Sequence, residues 1–214
     1  MIGVLGGTFD PVHHGHLRPA LEVCESLGLS ELRFVPCRTP PHRMPPEAPA
    51  HHRLAMVERA ISGVPGFRTD ARELARPGPS FTVDTLGELR AEIGPGSPLL
   101  LLMGMDAFAG LHGWHRWRDI PQLAHVVVAH RPGTAPALDS PYLELAPPAD
   151  SVTALRDRPQ GHVFFQAVTQ LDISATDIRE RLRAGRSPRF LLPGSVQRYI
   201  AEHRLYQHDT APTE

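Results

Sequence analysis

Hydrophobic and polar positions follow two patterns along the chain, short apolar runs and longer stretches of helical periodicity. Apolar runs of this kind, bounded by glycine, proline or charged residues, predict strands that are buried on both faces of a sheet. The pattern at Phe67–Leu74 is less regular than the others. The predicted strands are Ile2–Leu5, Leu32–Val35, Phe67–Leu74, Leu99–Met103, His125–Ala129 and His162–Val168.

Stretches with apolar residues at helical spacing separate most of these strands. In the first, Leu17, Ala20, Leu21 and Cys24 fall on one helical face, and Gly28 follows as a stop signal. Strands that alternate with helices predict an α/β fold with a doubly wound, mostly parallel sheet. The predicted helices are His16–Leu27, Ala50–Ile61, Asp84–Ile93, part of Trp114–Leu123, Thr176–Ala184 and Val196–His203.

Two proline-rich segments interrupt this alternation. Pro36–Pro49 is predicted to be a loop, and loops of that length inside a compact domain are more often functional than accidental. Pro132–Pro159 shows little periodicity and is predicted to be an extended surface segment rather than a linker. The length of 214 residues favours one domain, over 1–206, with a disordered tail at 207–214.

Charge and composition restrict the possible partners. The net charge of −1 argues against nucleic acid and membrane surfaces as partners, and no apolar run is long enough to span a bilayer. All 22 cationic side chains are arginine, so a cationic contact to phosphate must come from arginine or histidine. Cys24 and Cys37 show no ligand spacing and are predicted to be reduced thiols in a cytoplasmic protein. A homo-oligomer is possible.

The residues after the first strand combine features of an anion site. Gly6 and Gly7 stand where an open α/β sheet binds ligands, and they remove side chains that would keep a phosphate from the backbone. The following helix offers free N–H groups at its start. His13 and His16 are spaced to meet on one side of a helical turn, with Gly15 leaving room between them.

A glycine turn followed by ordinary surface histidines is the alternative interpretation, and a metal site would need further ligands at a matching spacing. However, residues 6–17, GGTFDPVHHGHL, closely resemble the (H/T)-x-G-H signature of the nucleotidylyltransferase superfamily. In its longer form the stretch resembles the bacterial nicotinate-mononucleotide adenylyltransferases. The resemblance implies a Rossmann-like fold, with His16 donating a hydrogen bond to the α-phosphate of ATP. It also implies ATP contacts from Gly6, Gly7, Thr8, Phe9, His13 and His16.

A second segment, 171–179, combines a helix start with hydroxyl side chains. Spacing alone favours a well-capped surface helix, because Ser174 precedes Asp177 by three residues. The segment nevertheless resembles the family's I-S-S-T-x-I-R, with Ala175 in place of the second serine. This implies that the helix start binds the triphosphate, and that Arg179 acts with His13 and His16 in catalysis. The implied ATP contacts here are Ile173, Ser174, Thr176 and Arg179.

Further motifs follow in the order that this family has. Gly104 and Asp106 resemble its G-x-D, which contacts the adenosine ribose, and they end a buried strand at the ligand-binding edge. The stretch 80–85, SFTVDT, resembles a segment whose backbone around Thr82 holds the nicotinate carboxylate. Residues 40–43, PPHR, resemble the P-P-H-[KR] motif, which implies phosphate contacts from His42 and Arg43.

Two more residues complete the implied mononucleotide site. Trp114 follows Asp106 by eight residues, at the family position where an aromatic ring stacks on the pyridine ring, and Trp117 is the competing candidate. Arg131 resembles the arginine of the family's R-P-G and could bind the mononucleotide phosphate through its planar fork.

The resemblance implies a reaction and its partners. AMP would pass from ATP to nicotinate mononucleotide, giving deamido-NAD and pyrophosphate, with Mg²⁺ bound through the ATP phosphates and no metal site on the protein. The same chemistry on nicotinamide mononucleotide, or on another phosphate acceptor such as phosphopantetheine, remains an alternative. A nucleotide-sensing protein without turnover is a third, although His13, His16 and Arg179 are all present.

Overall fold

The computed structural model describes residues 1–40, 44–133 and 139–207. Three short 3-10 segments, Leu111–Gly113, Trp117–Gln122 and Pro141–Glu144, accompany the regular elements. The strands are β1 Ile2–Gly7, β2 Glu31–Pro36, β3 Phe67–Thr69, β4 Leu99–Gly104, β5 His125–His130 and β6 Val163–Ala167. The helices are α1 His14–Leu27, α2 Ala50–Ile61, α3 Arg72–Ala75, α4 Thr82–Ile93, α5 Met105–Ala109, α6 Val152–Arg156, α7 Ala175–Arg183 and α8 Gly194–Glu202.

All six strands pair in parallel, in the order β3-β2-β1-β4-β5-β6. Val4 of β1 lies opposite Arg33 on one side and Leu101 on the other. The strand order reverses between β1 and β4, and in such sheets a ligand crevice opens at the carboxyl ends of those strands. The prediction of a doubly wound parallel sheet is therefore confirmed, and the crevice begins at Gly7 and Gly104.

Alternation along the strands explains why the apolar runs are continuous. In β4, Leu100 and Leu102 belong to the core cluster that includes residues of α1, α2 and α8. Leu99, Leu101 and Met103 belong to a second cluster on the opposite face, with residues of α4. Because successive side chains of a strand point to opposite faces, a central strand covered on both sides needs apolar residues throughout.

The strand predicted over Phe67–Leu74 is too long. β3 ends at Thr69, and a short helix occupies Arg72–Ala75. Asp70 causes the change of direction, because its carboxylate accepts hydrogen bonds from the backbone N–H and the guanidinium of Arg72 at 3.1 and 2.8 Å. An aspartate that binds backbone two residues ahead favours a turn over an extended strand.

The prediction of an extended surface segment over Pro132–Pro159 is wrong in part. Residues 134–138 lie outside the described residues, but the rest contains a 3-10 turn and helix α6. Tyr142, Ala146 and Leu155 are fully buried. Single apolar residues spaced among prolines give no periodic signal, so only packing against the sheet shows that they belong to the core.

Other predicted features fall outside the described part of the chain. His42 and Arg43 lie there, as do residues 208–214 of the predicted tail. None of the helices in the described residues is both long and apolar enough to cross a membrane.

Arg90 of α4 joins three segments at the edge of the sheet opposite the crevice. Its guanidinium donates to the backbone carbonyls of Gly94, Ser97, Leu123 and Pro159 at distances between 2.6 and 3.1 Å. The carbonyl of Pro159 also accepts from the N–H of Leu99, at the start of β4, at 3.1 Å. The planar fork of arginine suits such a multiple contact, which a lysine ammonium cannot reproduce.

Replacing Arg90 by alanine is expected to lower the free energy of unfolding by about 3 kcal/mol, because several partly buried carbonyls lose a charged donor. Arg90→Lys should recover only a minor part of that loss. Urea unfolding followed by circular dichroism measures the difference. Arg198→Ala, which removes an exposed arginine of α8, is the matched control and should leave the midpoint unchanged. Equal midpoints for Arg90→Ala and the control would contradict a structural role for Arg90.

Candidate active site

The loop between β1 and α1 places Phe9 beneath the predicted phosphate site. Phe9 has a φ of 51°, in the left-handed region, and its side chain is 1% exposed. A Cβ atom on Gly7 would lie 2.9 Å from the Phe9 ring, so glycine at position 7 makes room for this side chain. The ring packs edge-on against His16 at 5.2 Å. Any contact between Phe9 and ATP would therefore involve its backbone, while its ring supports His16.

His16 is oriented by the backbone of His13, the residue immediately before α1. Its Nδ1 accepts a hydrogen bond from the N–H of His13 at 3.3 Å, and the two rings lie 3.8 Å apart. In a neutral imidazole one nitrogen accepts and the other carries the proton. The contact at Nδ1 therefore assigns the proton to Nε2, and the neutral His16 ring is a donor on that side.

His13 is buried and uncharged at neutral pH. Its side chain is 5% exposed, and burial, with a smaller effect of neighbouring His14, lowers the pKa of His13 to about 4. Its side chain faces the N–H of His16 in a capping box, but within the described part of the chain its Nδ1 makes no hydrogen bond of normal geometry. A buried polar atom of this kind is costly unless a ligand or water satisfies it, which is a feature typical of a binding site.

A cavity of about 300 Å³ opens at the carboxyl ends of β1, β4 and β5. It brings together His16, Gly104 and Arg131, three residues that were predicted to bind substrates. Thr82 and Trp114 are not part of its lining. The lining also includes Leu5, Gly15, Pro19, Ala20, Val23, Leu102, Met103, Ala129, Gln170, Leu171 and Asp172.

The start of α7 lies directly against the start of α1. A Cβ atom on Gly15 would lie 2.9 Å from Nδ1 of His13 and 3.2 Å from the carbonyl oxygen of Ile173. Ser174 caps α7, since its hydroxyl accepts from the N–H of Asp177 at 3.1 Å, in agreement with the sequence prediction. The tertiary structure thus joins the two segments that were predicted to bind phosphates, which are more than 150 residues apart in the chain.

Arg179 lies beside the β1–α1 loop. Its guanidinium donates to the carbonyl of Asp10 at 2.8 Å, to the carboxylate of Glu47 at 2.7 Å and to the hydroxyl of Thr176 at 3.4 Å. Burial raises the pKa of Glu47, but hydrogen bonds from Arg183 and Arg179 outweigh that effect and leave it lowered. Glu47 is therefore a carboxylate at neutral pH.

Asp10 lies in the β1–α1 loop, and its contacts were not predicted from the sequence. Its carboxylate accepts from the backbone N–H groups of Glu47 and Ala48 at 2.8 and 3.1 Å, and from the hydroxyl of Tyr206 at 2.7 Å. The side chain is 5% exposed. Asp10 therefore fixes the β1–α1 loop to the end of the proline-rich loop and to the C-terminal part of the chain.

Arg53 of α2 also holds the β1–α1 loop, through a hydrogen bond to its backbone. Its side chain is 1% exposed, and it donates to the carbonyls of Thr8 and Ala48 at 2.8 and 3.1 Å. Helical periodicity had marked α2 only as a packing helix. A buried arginine on an apolar helix face is the sequence signal that could have identified this contact.

The start of α4, where Thr82 was predicted to bind the mononucleotide, has no side-chain cap. Asp84 and Thr85 donate their N–H groups to the carbonyl of Phe81. The N–H groups before Asp84 at the helix start have no carbonyl of a preceding helical turn to bind. Uncapped N–H groups at a helix start attract an anion. This geometry suits a carboxylate ligand at Thr82.

Glu73 holds the start of α4 in place, a role that no sequence motif indicates. Its carboxylate accepts from the hydroxyl of Thr85 at 2.6 Å, and burial raises its pKa. Ser80, just before α4, accepts from the N–H of Arg38 at 2.9 Å and donates its own N–H to Thr39 at 3.0 Å. These bonds fix the start of α4 to the first residues of the proline-rich loop.

The two tryptophans differ in their ring contacts. Trp117 has the guanidinium of Arg118 at 4.4 Å from its ring and the ring of Tyr142 at 6.3 Å. Among the described residues, no aromatic ring or cation is paired with Trp114, although its side chain packs partly against the second core cluster. Asp106 lies in the first turn of α5, which begins directly after Gly104.

The fold and the site together define a Rossmann-like nucleotide-binding protein with two histidines at the switch point of its sheet. The cytidylyltransferase-like family model matches residues 4–181. A protein of Halorhodospira halophila named probable nicotinate-nucleotide adenylyltransferase is 53% identical, over 96% of this chain and 94% of its own length. A protein of the same name from Pseudomonas putida is 49% identical, with the same shares of both chains covered.

Solved structures agree on the fold. The Plasmodium falciparum nicotinic acid mononucleotide adenylyltransferase complexed with NaAD superposes with a TM-score of 0.68, at 17% identity and with 96% of each chain covered. This chain therefore belongs to the cytidylyltransferase-like family and, within it, to the nicotinate-nucleotide adenylyltransferases.

Proposed function

We propose that this chain transfers AMP from ATP to nicotinate mononucleotide, giving deamido-NAD and pyrophosphate. The observation that carries the proposal is the contact between the start of α1, with His13 and His16, and the start of α7, with Arg179, at one end of the sheet crevice. The names of the relatives support the same substrates.

The reaction needs positioning and charge stabilisation rather than a protein nucleophile. The phosphate of the mononucleotide is already an anion and can attack the α-phosphorus of ATP in line, with pyrophosphate leaving. His16 donates from Nε2 to an oxygen of the α-phosphate as negative charge develops there. His13 satisfies its buried Nδ1 at the phosphates, and Gly6, Thr8, Ser174 and Thr176 surround the chain of phosphates.

Mg²⁺ belongs to this proposal as a cofactor bound through ATP. Within the described residues no group of three His, Cys, Asp or Glu side chains could hold a metal ion. Magnesium prefers oxygen ligands and commonly keeps several waters, so the phosphate oxygens fit as its ligands. When bound, the ion neutralises part of the phosphate charge.

Recognition of the mononucleotide is assigned to the start of α4, to Trp114 and to Arg131. The uncapped start of α4 at Thr82 would accept the nicotinate carboxylate, and the ring of Trp114 is available for stacking on the pyridine. Arg131, at the cavity, is assigned to the mononucleotide phosphate, together with His42 and Arg43. Asp106 accepts from a ribose hydroxyl of the adenosine.

A single domain over residues 1–206 is part of the same proposal, because both core clusters cover one six-stranded sheet. A cytoplasmic location is proposed because Cys24 and Cys37 are both free thiols.

The first test compares acceptors. Pyrophosphate release with Mg²⁺-ATP is expected to be at least about tenfold faster with nicotinate mononucleotide than with nicotinamide mononucleotide, because the amide cannot offer a charged acceptor to the α4 N–H groups. Phosphopantetheine should give no release. A preference for either alternative acceptor would overturn the proposed substrate pocket, and nucleotide binding without release from any acceptor would favour a sensing protein.

A further inference from the structure

Glu47 joins two arginines of α7 through one carboxylate. Its Oε1 accepts from Nε of Arg179 at 2.7 Å, and its Oε2 accepts from the guanidinium of Arg183. The two arginines are four residues apart and therefore lie on the same face of the helix. All three side chains are partly exposed, at 17% for Arg179, 31% for Arg183 and 40% for Glu47.

The carboxylate of Glu47 binds the guanidinium groups that an external anion would have to bind. Every nitrogen of the Arg179 guanidinium already has a protein acceptor, namely Glu47, the carbonyl of Asp10 and the hydroxyl of Thr176. Of these, Glu47 supplies the only charged acceptor within the described residues. Guanidinium groups bind carboxylates and phosphates with the same fork geometry, so a phosphate can replace the carboxylate at both arginines.

The attachment of Glu47 to the rest of the site permits such a replacement. Its backbone N–H donates to Asp10 at 2.8 Å, and the next residue, Ala48, donates to the same carboxylate. The backbone is therefore fixed independently of the side chain. A change of side-chain rotamer is enough to release both arginines, without moving the β1–α1 loop.

We propose that Arg179 and Arg183 form a two-arginine site for the terminal phosphates of ATP and for pyrophosphate, and that Glu47 occupies this site in the ligand-free chain. Arg183 is then a second phosphate-binding arginine, and Glu47 competes with the nucleotide. The identity of the anion rests on the proposed function; the competition itself does not.

The competing interpretation is an ordinary surface ion pair, which contributes little. Arg181 offers a matched control for it. Arg181 lies on the same helix between the two arginines and pairs with Asp177 at 2.8 Å instead. Arg181→Ala and Arg183→Ala thus remove the same charge from the same helix, but only the second removes a member of the proposed site.

The experiment is isothermal titration of the full chain with inorganic pyrophosphate, without mononucleotide. Arg183→Ala is expected to weaken binding about tenfold, the scale of one charge-assisted phosphate contact, whereas Arg181→Ala leaves it unchanged. Glu47→Gln, which keeps the size of the side chain and removes its charge, should tighten binding about three- to tenfold. Glu58→Gln removes a negative charge from an exposed position of α2 and should have no comparable effect.

Two results would overturn the inference. Equal binding by Arg183→Ala and Arg181→Ala would make Arg183 a surface residue, and weaker binding by Glu47→Gln would mean that Glu47 positions the arginines instead of occupying their site. Failure of the proposed function is distinguishable, because it gives no pyrophosphate release in the acceptor assay whatever the titration shows.

Discussion

Replacing His16 by alanine is expected to lower kcat by about two to three orders of magnitude, the scale of losing one hydrogen-bond donor to developing charge. The Nδ1 of His16 is engaged by the backbone of His13, so the ring presents Nε2–H in a fixed direction. A donor that is oriented before the reaction needs no reorganisation when negative charge appears on the α-phosphate. Affinity for ATP should change far less than kcat, because the contact strengthens mainly in the transition state.

The measurement is the steady-state rate of pyrophosphate release with nicotinate mononucleotide and Mg²⁺-ATP. His14→Ala is the matched control, since it removes an imidazole from the neighbouring position of the same helix start. Circular dichroism checks that both variants fold, because the Phe9 ring loses its contact with His16 in the first. A kcat for His16→Ala close to that of the control would remove His16 from the mechanism.

Replacing Gly15 by alanine is expected to lower kcat/KM by about 100-fold, because displacements near 1 Å in a catalytic site have effects of this size. The added methyl group would lie 2.9 Å from Nδ1 of His13 and 3.2 Å from the carbonyl oxygen of Ile173. The methyl group would push the start of α1 away from the start of α7, so both segments proposed to bind phosphates would be displaced at once.

The control for Gly15→Ala is Gly87→Ala in α4, where an added Cβ meets nothing within 4 Å. That variant should keep full activity and gain about 0.5 to 1 kcal/mol of stability from its better helix propensity. Kinetics with each substrate in turn, together with thermal unfolding, separates the two effects. Full activity in Gly15→Ala would show that the close approach of the two helix starts does not matter for catalysis.

Local patterns in the sequence were sufficient for the framework of the molecule. The apolar runs of β4 and β5 predicted strands buried on both faces, because each residue of such a run packs against one of two helix layers. Gly6-Gly7 and Gly104 predicted the ligand-binding edge, because these glycines directly follow or end the predicted strands. Open α/β sheets bind ligands at the carboxyl ends of their strands. The resemblance of residues 6–17 and 171–179 to one family identified the class of reaction, which the relatives confirm.

Other local signals were misleading or silent. The pattern of Phe67–Leu74 predicted a strand, but the side chain of Asp70 turns the chain after three residues. Tyr142 and Leu155 lie in a proline-rich segment without periodicity. They are core residues because each packs in a cluster with side chains of the sheet. A residue that is buried by a distant element leaves no periodic trace in its own segment.

The sequence by itself determined the alternation of strands and helices, the residues at the strand ends and the chemistry of individual motifs. Only the tertiary structure decided how these motifs act together. It places Gly15 close to both His13 and Ile173, and it brings Asp10 within hydrogen-bond distance of Tyr206. It also pairs Glu47 with Arg179 and Arg183. The physical reason is that hydrogen bonds and charges act over a few ångströms in space. Pairs that lie more than 100 residues apart along the chain come into this range only when the sheet is assembled.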